Sequence, residues 1–244
     1  MSRHEQAARQ RSFYETRDHQ HLQPRDRDFY ADRMAERLAR GIGIQSHHRV
    51  LELGAGFGRF TFSLLQHCES VVALDLSPRA LANLEATRER RKVSPERCAT
   101  LCLDIDRLDP GSLDRRVDFV VGFFFLHHLP DFPATIALLA NRVAPAGGMA
   151  FVEPNRRNPL FLAQVMCCPD MTWREEKGMF QLSARKVEAA YREAGFSEIH
   201  TRSFGFFPPP LLNHLSWARS LEIRLEQMHI LRGVLPMLLL GARA

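Results

Sequence analysis

Apolar and polar positions follow two different patterns along this chain, continuous apolar runs and a helical repeat. Short runs such as RVLEL (residues 49–53) and VDFVVGFFF (117–125) are rich in Val, Leu and Phe without strict alternation, which is typical of strands buried on both faces of a sheet. Other stretches repeat apolar residues every three or four positions, the spacing of an amphipathic helix. Strand and helix patterns that follow each other in turn predict an α/β fold, with a doubly wound, mostly parallel sheet.

The predicted elements can be placed along the numbering. Strands are predicted at 49–53, 70–76, 98–104, 117–125, 147–154 and 197–207, and helices at 27–43, 59–68, 78–91, 133–145 and 183–196. We expect a single domain: an N-terminal helical arm (1–40), a core (41–207) with an insert at about 154–182, and an apolar, helical C-terminal extension (208–244). The extension fits a core-capping helix, a dimer face or a membrane-surface helix, and Pro236 argues against one continuous helix.

Composition narrows the class of protein. The 244 residues are 45% hydrophobic and 25% charged, with five cysteines and a net charge of +5, as in an ordinary globular protein. The polar N-terminus and the absence of ~18 uninterrupted apolar residues predict neither a secretory signal nor a membrane span. The number of cysteines is odd, their spacing is irregular and no CxxC pair occurs. This indicates free thiols in a reducing cytoplasm and no zinc site. Arginines interleaved with acids give little support for nucleic acid as a partner.

The sequence VLELGAGFGRF (residues 50–60) predicts a glycine-rich turn after the first strand. Its spacing is G-x-G-x-G, and Arg59 stands where the dinucleotide fingerprint G-x-G-x-x-G would place its third glycine. Glycines there let the backbone approach a ligand closely. Asp75 ends the second strand, 21 residues after Gly54, where an acid can accept both ribose hydroxyls of a nucleoside. The alternative for Asp75 is a residue that only supports a turn.

These motifs, with LCLDIDRL (101–108) and YREAGFSEI (191–199), resemble the class I S-adenosylmethionine-dependent methyltransferases over roughly residues 45–205. The resemblance implies a Rossmann-like, seven-stranded sheet and S-adenosyl-L-methionine as cofactor, without a metal. It also implies a set of cofactor-binding residues: Glu52, Gly54, Ala55, Gly56, Asp75, Leu76, Asp104, Ile105, Gly122 and Phe123.

Catalytic and substrate residues are predicted less directly. His127 and His128, after the fourth strand, are candidate bases, although a structural turn explains them as well. Candidate substrate-binding residues are Tyr14, Glu153, Asn155 and Trp173, and the alternative for Glu153 and Asn155 is hydrogen bonding within a loop. The stretch GFFF (122–125) stands where nucleobase and glutamine amine methylases often carry Asn-Pro-Pro-Tyr, which argues against that chemistry. The apolar loops favour a small hydrophobic or aromatic acceptor, with O-methylation slightly ahead of N-methylation.

Other functions stay open at this point. A nicotinamide oxidoreductase is disfavoured by Arg59 and by the absence of a Tyr-x-x-x-Lys pair. A non-catalytic, cofactor-binding partner subunit would keep the same glycines and Asp75. An RNA methyltransferase is favoured only by the pI of about 9.2. The sequence fits a monomer or a homodimer, and it leaves peripheral membrane contact through the C-terminal segment open.

Overall fold

The computed structural model of the protein describes residues 11, 15, 22–105, 108, 116–159 and 177–244. Its strands are β1 (Arg49–Leu53), β2 (Ser70–Asp75), β3 (Cys98–Cys102), β4 (Val117–Phe123), β5 (Val143–Pro154), β6 (Glu198–Phe204) and β7 (Met237–Arg243). They form one seven-stranded sheet in the order β3-β2-β1-β4-β5-β7-β6. Only β7 runs antiparallel to its neighbours, so the predicted fold class is confirmed.

Helices cover both faces of this sheet. They are α1 (Phe29–Ile42), α2 (Thr61–Leu64), α3 (Pro78–Arg90), α4 (Phe132–Ala140), α5 (Ala184–Glu193), α6 (Pro209–His214) and α7 (Ser216–Gln227). Ser77 begins α3 by accepting a hydrogen bond from the Ala80 amide at 3.2 Å, and Pro78 occupies the first turn, where a missing N–H costs nothing.

The strand order brings the carboxyl ends of six strands to one side of the sheet. β1 lies between β2 and β4 and pairs in parallel with both, so the order reverses at β1. Since β5 and β6 both run antiparallel to β7, they share the direction of the other parallel strands. We call this side the carboxyl edge. Ligands of open α/β sheets bind there, next to the reversal.

The core consists of two apolar layers, one on each face of the sheet. One layer packs α1 and the glycine turn region against residues such as Phe119 and Phe204. The other packs α4 and α5 against residues such as Phe151, around the buried Tyr191. Neighbouring residues of one strand enter opposite layers, for example Val120 beside Phe119. This two-sided burial explains why the strands read as continuous apolar runs.

The structure corrects the predicted boundaries at both ends. α1 was assigned to an arm at residues 1–40, but its residues Tyr30, Met34 and Leu38 are buried in the core. The extension at 208–244 is not wholly helical, because residues 237–243 form β7 inside the sheet. An apolar run of this length fits a helix or a buried strand equally well, and pairing with β5 and β6 decides it. The predicted helix at 59–68 is helical only over Thr61–Leu64.

A buried ion-pair network holds α7 against α1. Arg33 donates to Glu222 and to Glu226, each at 2.8 Å, and Arg37 also contacts Glu226. The same two carboxylates also accept hydrogen bonds from the loop after β6. Glu226 accepts the Gly205 amide, and Glu222 accepts the amides of the next two residues. Burial raises the pKa of Glu222, although those N–H donors and Arg33 oppose the effect. The C-terminal helices are therefore fastened by charge.

We expect Glu226→Ala to lower the free energy of unfolding by about 3 kcal/mol, because Arg37 loses this partner, Arg33 keeps only Glu222 of its two, and the buried Gly205 amide loses its acceptor. Urea unfolding followed by circular dichroism measures the change. The control is Glu36→Ala, which removes an exposed pair with Arg40 on α1 and should cost about 0.5 kcal/mol or less. Equal losses in both variants would contradict the assigned role of the network.

Candidate functional site

The glycine turn lies at the carboxyl edge, directly after β1. Gly54, Gly56 and Gly58 have φ angles of 65°, 53° and 86°, a region that L side chains rarely adopt. A Cβ at Gly54 would come within 2.5 Å of the Phe125 ring, and one at Gly58 within 2.7 Å of Leu84. A Cβ at Gly56 would meet nothing within 4 Å. The turn therefore leaves open space beside Gly56, as a ligand cradle requires.

Asp75 fastens this turn to the end of β2. Its Oδ2 accepts the Gly56 amide at 2.8 Å, and its Oδ1 accepts the Ser77 amide at 2.9 Å. Burial raises its pKa, and these backbone N–H donors partly offset the rise. A carboxylate oxygen has two acceptor sites, and each oxygen of Asp75 has one backbone donor from this pair. The predicted turn-supporting role and a ligand-binding role are thus compatible in one side chain.

The segment after β3 reaches the same place. The Leu103 amide donates to the Asp75 carbonyl at 3.1 Å, which brings the half-buried Asp104 and the buried Ile105 next to the turn. Leu76, half-buried, follows Asp75 directly. The structure therefore brings together the predicted cofactor residues of the turn, of β2 and of the segment after β3.

The end of β4 adds an aromatic cluster, which we define as Phe60, Phe123 and Phe124. The Phe60 and Phe123 rings stack with centroids 4.6 Å apart and planes 13° apart, and Phe124 lies 5.8 Å from Phe60. Gly122 is adjacent, paired in register with Leu53 of β1, and a Cβ there would come within 2.9 Å of Phe151. Phe123 is buried, and Phe60 and Phe124 are half-buried, so the cluster lies partly open beside the glycine turn.

Glu153 holds the loop that follows β4. Its Oε1 accepts the amides of Phe125 and Leu126 at 2.9 and 2.7 Å, and its Oε2 lies 2.6 Å from Nδ1 of His127. The side chain of Glu153 is 0% exposed and that of His127 1% exposed. Glu153 was predicted to face the substrate, but burial gives it a structural role. The ring of the half-buried His128 lies 4.0 Å from that of His127.

Phe124 itself has a φ of 56°, an uncommon and strained conformation for a bulky residue. It is held on both sides: its own amide donates to the Val152 carbonyl at 2.8 Å, and the next two amides are bound by Glu153. The strain therefore lies between two anchors at the end of β4, beside the predicted site.

Asn155 also differs from its prediction as a substrate residue. Its Nδ2 donates to the carbonyls of Gly233 and Leu235 at 3.2 and 2.8 Å, and its Oδ1 accepts the Arg157 amide at 3.1 Å. The side chain is buried. It joins the end of β5 to the segment that precedes β7, and its side-chain amide is hydrogen-bonded to backbone groups on both sides.

Glu52 connects β1 to α2. Its Oε2 accepts the Thr61 hydroxyl at 2.6 Å, and the residue is 1% exposed. Burial raises its pKa to about 8, with a further rise from the charge of Asp75 and an opposing effect of the Thr61 hydrogen bond. Burial thus favours the protonated form of Glu52, and its hydrogen bond links the end of β1 to the start of α2 across the turn.

A second contact of the turn was missed by sequence reasoning. Arg59 donates to both carboxylate oxygens of Asp28, at 2.7 and 3.3 Å, and Asn213 of α6 donates to the same carboxylate at 3.0 Å. Burial alone would raise the pKa of Asp28, but Arg59 holds it below its usual range. This cluster ties the turn to the start of α1 and to α6. Two features of the sequence hinted at this cluster: Arg59 stands in place of the third glycine of G-x-G-x-x-G, and Asp28 lies at the start of a predicted helix.

Some predictions fall outside the described residues, namely Tyr14 and Trp173. Within the described ranges, no group of three or more His, Cys, Asp or Glu side chains is arranged to hold a metal ion. The same part of the chain contains no helix that is both long and apolar enough to cross a membrane.

Comparison with known proteins bears on this arrangement. Residues 51–150 match the family model described as a methyltransferase domain. A ubiquinone biosynthesis O-methyltransferase of Nitrosomonas europaea is 30% identical over 120 residues, which are 48% of each chain. The polyketide synthase-nonribosomal peptide synthetase ACE1 of Pyricularia oryzae is 28% identical over 147 residues, 54% of this chain and 4% of that protein. The chain thus spans less than half the length of either curated relative.

Among solved structures, the N-methyltransferase NodS of Bradyrhizobium japonicum, in complex with S-adenosyl-L-homocysteine, superposes with a TM-score of 0.60. The match covers 98% of this chain and 97% of that one at 17% identity. At this level of identity the match shows a shared fold.

The raised pKa of Glu52 predicts a pH-dependent stability. Between its ordinary pKa of 4.5 and about 8, folded Glu52 keeps a proton that the unfolded chain has lost. Its contribution is therefore fully present below the lower value and is lost as the pH rises to the upper one. Glu52→Gln, which has no such penalty, should gain stability over wild type from about pH 5 to pH 8, by up to ~1.4 kcal/mol per pH unit.

Thermal unfolding across this pH range tests the Glu52 prediction. Glu198→Gln, at an exposed position of β6, is the control for replacing a surface carboxyl by an amide. A difference between Glu52→Gln and wild type that stays constant with pH would refute the protonated state of Glu52.

Proposed function

We propose that this chain, whose residues 51–150 match the model of a methyltransferase domain and whose sheet has the class I S-adenosylmethionine-dependent methyltransferase fold, transfers a methyl group to a small apolar acceptor. The observation that carries the proposal is the glycine turn fastened by Asp75 at the reversal of the strand order. It combines the family's cofactor-binding signature with the position at which open α/β sheets bind ligands.

The residues at the carboxyl edge fit S-adenosyl-L-methionine. Asp75 presents carboxylate oxygens suited to ribose hydroxyls, and the open space beside Gly56 admits a ligand against backbone. Following the family resemblance, Asp104 and Ile105 would hold the adenine, and the backbone at 54–56 and 122–123 the methionine portion. When bound, this cofactor supplies an electrophilic methyl group on sulfonium. The protein's task is to align the acceptor at ~3 Å and to keep water out.

The aromatic cluster supports an apolar, preferably aromatic, acceptor. Phe60 and Phe123 stack next to the turn and Phe124 lies tilted against Phe60, and the half-buried rings of this cluster would stabilise a planar ligand by further aromatic contacts. The name of the Nitrosomonas relative, a ubiquinone biosynthesis O-methyltransferase, points the same way. The N-methyltransferase activity named for NodS supports an amine acceptor as the alternative.

A hydroxyl acceptor needs a base, and His128 is the better placed histidine. His127 is buried and bound to Glu153 through Nδ1, whereas His128 is half-buried and packs on the His127 ring. Glu153 holds the His127 ring, and the His128 ring lies against that held ring at 4.0 Å. We therefore assign proton removal to His128, and a positioning role to His127 and Glu153.

The cofactor assignment predicts that Asp75→Ala weakens S-adenosylmethionine binding by more than ~1 kcal/mol, since a charged hydrogen-bond acceptor is lost. Calorimetric titration with the cofactor and with its demethylated product measures this. The control is Asp118→Ala, because the Asp118 carboxylate also accepts a backbone amide, that of Arg49 at 2.7 Å, but at the start of β4. Unchanged affinity in a folded Asp75→Ala protein would remove Asp75 from the cofactor site.

The base assignment predicts that His128→Gln lowers kcat on phenols and catechols by ~100-fold or more, with little change in KM. Methyl transfer from labelled cofactor to a panel of phenols and primary amines gives both the acceptor class and the rate. His200→Gln, at an exposed histidine of β6, is the control. Faster transfer to amines, unaffected by His128→Gln, would establish N-methylation and contradict the proposed base.

A further inference from the structure

The segment from α7 to Val234 exposes an unusual number of large apolar side chains. Ile230 is 83% exposed and Trp217 55% exposed. We define the cap surface by its exposed apolar and basic residues, which are Trp217, Leu221, Ile223, Arg224, Met228, Ile230, Arg232 and Val234. Single exposed apolar residues are ordinary, but a contiguous group indicates a binding surface.

The amphipathic helix α7 has its apolar side turned outward. Trp217 and Leu221 are four residues apart and share one face of the helix, Met228 follows its last residue, and all three are exposed. The charged Glu222 and Glu226 are buried instead, where they bind Arg33 and the loop after β6. The helix is thus fastened through Glu222 and Glu226 and the small Ala218, while its large side chains Trp217 and Leu221 stay exposed.

The charge of this segment is one-sided. The acids between residues 216 and 234 are Glu222 and Glu226, and both are buried in ion pairs. Arg224 and Arg232 are exposed beside the apolar residues. An apolar surface with arginines and without exposed acids complements an anionic bilayer, where Trp and Leu enter the headgroup boundary and Arg stays with the lipid phosphates.

A second copy of the chain fits this surface less well. In a two-fold dimer the same patch meets itself, so Arg224 and Arg232 would approach their own copies without an exposed acid between them in this segment. Like charges in that position oppose association. A lipid surface provides the missing anions.

The cap surface lies on the side of the sheet that carries the candidate site. β6 ends at Phe204 on the carboxyl edge, and β7 begins there at Met237, so residues 205–236 leave and return at that edge. We propose that the cap surface docks this protein on an anionic membrane. The docking goes beyond the proposed methyl transfer and does not depend on it, although it would bring the site close to apolar acceptors dissolved in lipid.

Vesicle co-sedimentation tests the docking. We expect the full chain to bind vesicles of phosphatidylcholine with phosphatidylglycerol, and to bind phosphatidylcholine alone at least ~10-fold more weakly. Arg224→Gln combined with Arg232→Gln should lower partitioning into anionic vesicles by ~10-fold or more, and Ile230→Ser should lower it as well. The control is Arg40→Gln, at an exposed arginine near the end of α1, which should bind like wild type.

Fluorescence quenching by brominated lipids locates the contact. Quenching should fall strongly in Trp217→Phe while vesicle binding persists, because the phenyl ring keeps the apolar contact. Equal binding to both vesicle types, no binding, or an equal loss in Arg40→Gln would overturn the proposal. So would a dimer in sedimentation equilibrium that Ile230→Ser abolishes, since it would assign the surface to a second copy.

Discussion

Backbone N–H groups at the carboxyl ends of the parallel strands need acceptors where the strand ladder stops, and buried carboxylates supply them. Asp75 binds the amides of the glycine turn and of the start of α3. Glu153 binds two amides after β4, and Glu222 binds two after β6. Because unpaired buried amides are costly, the conformation of these three loops depends on acidic side chains.

This arrangement has an electrostatic cost that shapes the site. Burial raises the pKa of Asp75 and of Glu222, so part of the energy of each hydrogen bond offsets desolvation. In return the loops, including the strained Phe124, gain hydrogen-bond partners for their amides. A site that aligns two small molecules needs well-defined surroundings, and such hydrogen bonds contribute to them.

Local patterns were sufficient for the parts of the fold that depend on near neighbours. The glycine turn, Asp75 and the buried strands follow from periodicity and from short spacings. Contacts between distant residues were not accessible: Glu153 to His127, Asn155 to Leu235, and Asp28 to Asn213 each join separate elements. The β7 strand was not predicted for a related reason, because only its pairing with β5 and β6 distinguishes it from a helix.

The orientation of α7 also depends on contacts between distant residues, and this has a consequence for binding. Its sequence is amphipathic, and most helices of that kind bury the apolar side. Here Arg33 on α1 and the open amides after β6 attract the carboxylates inward, which reverses the usual orientation. Ion pairs and hydrogen bonds then hold α7 in place together with the burial of a small apolar residue, Ala218. The large apolar side chains Trp217 and Leu221 stay exposed, and they remain available to bind a surface outside the protein.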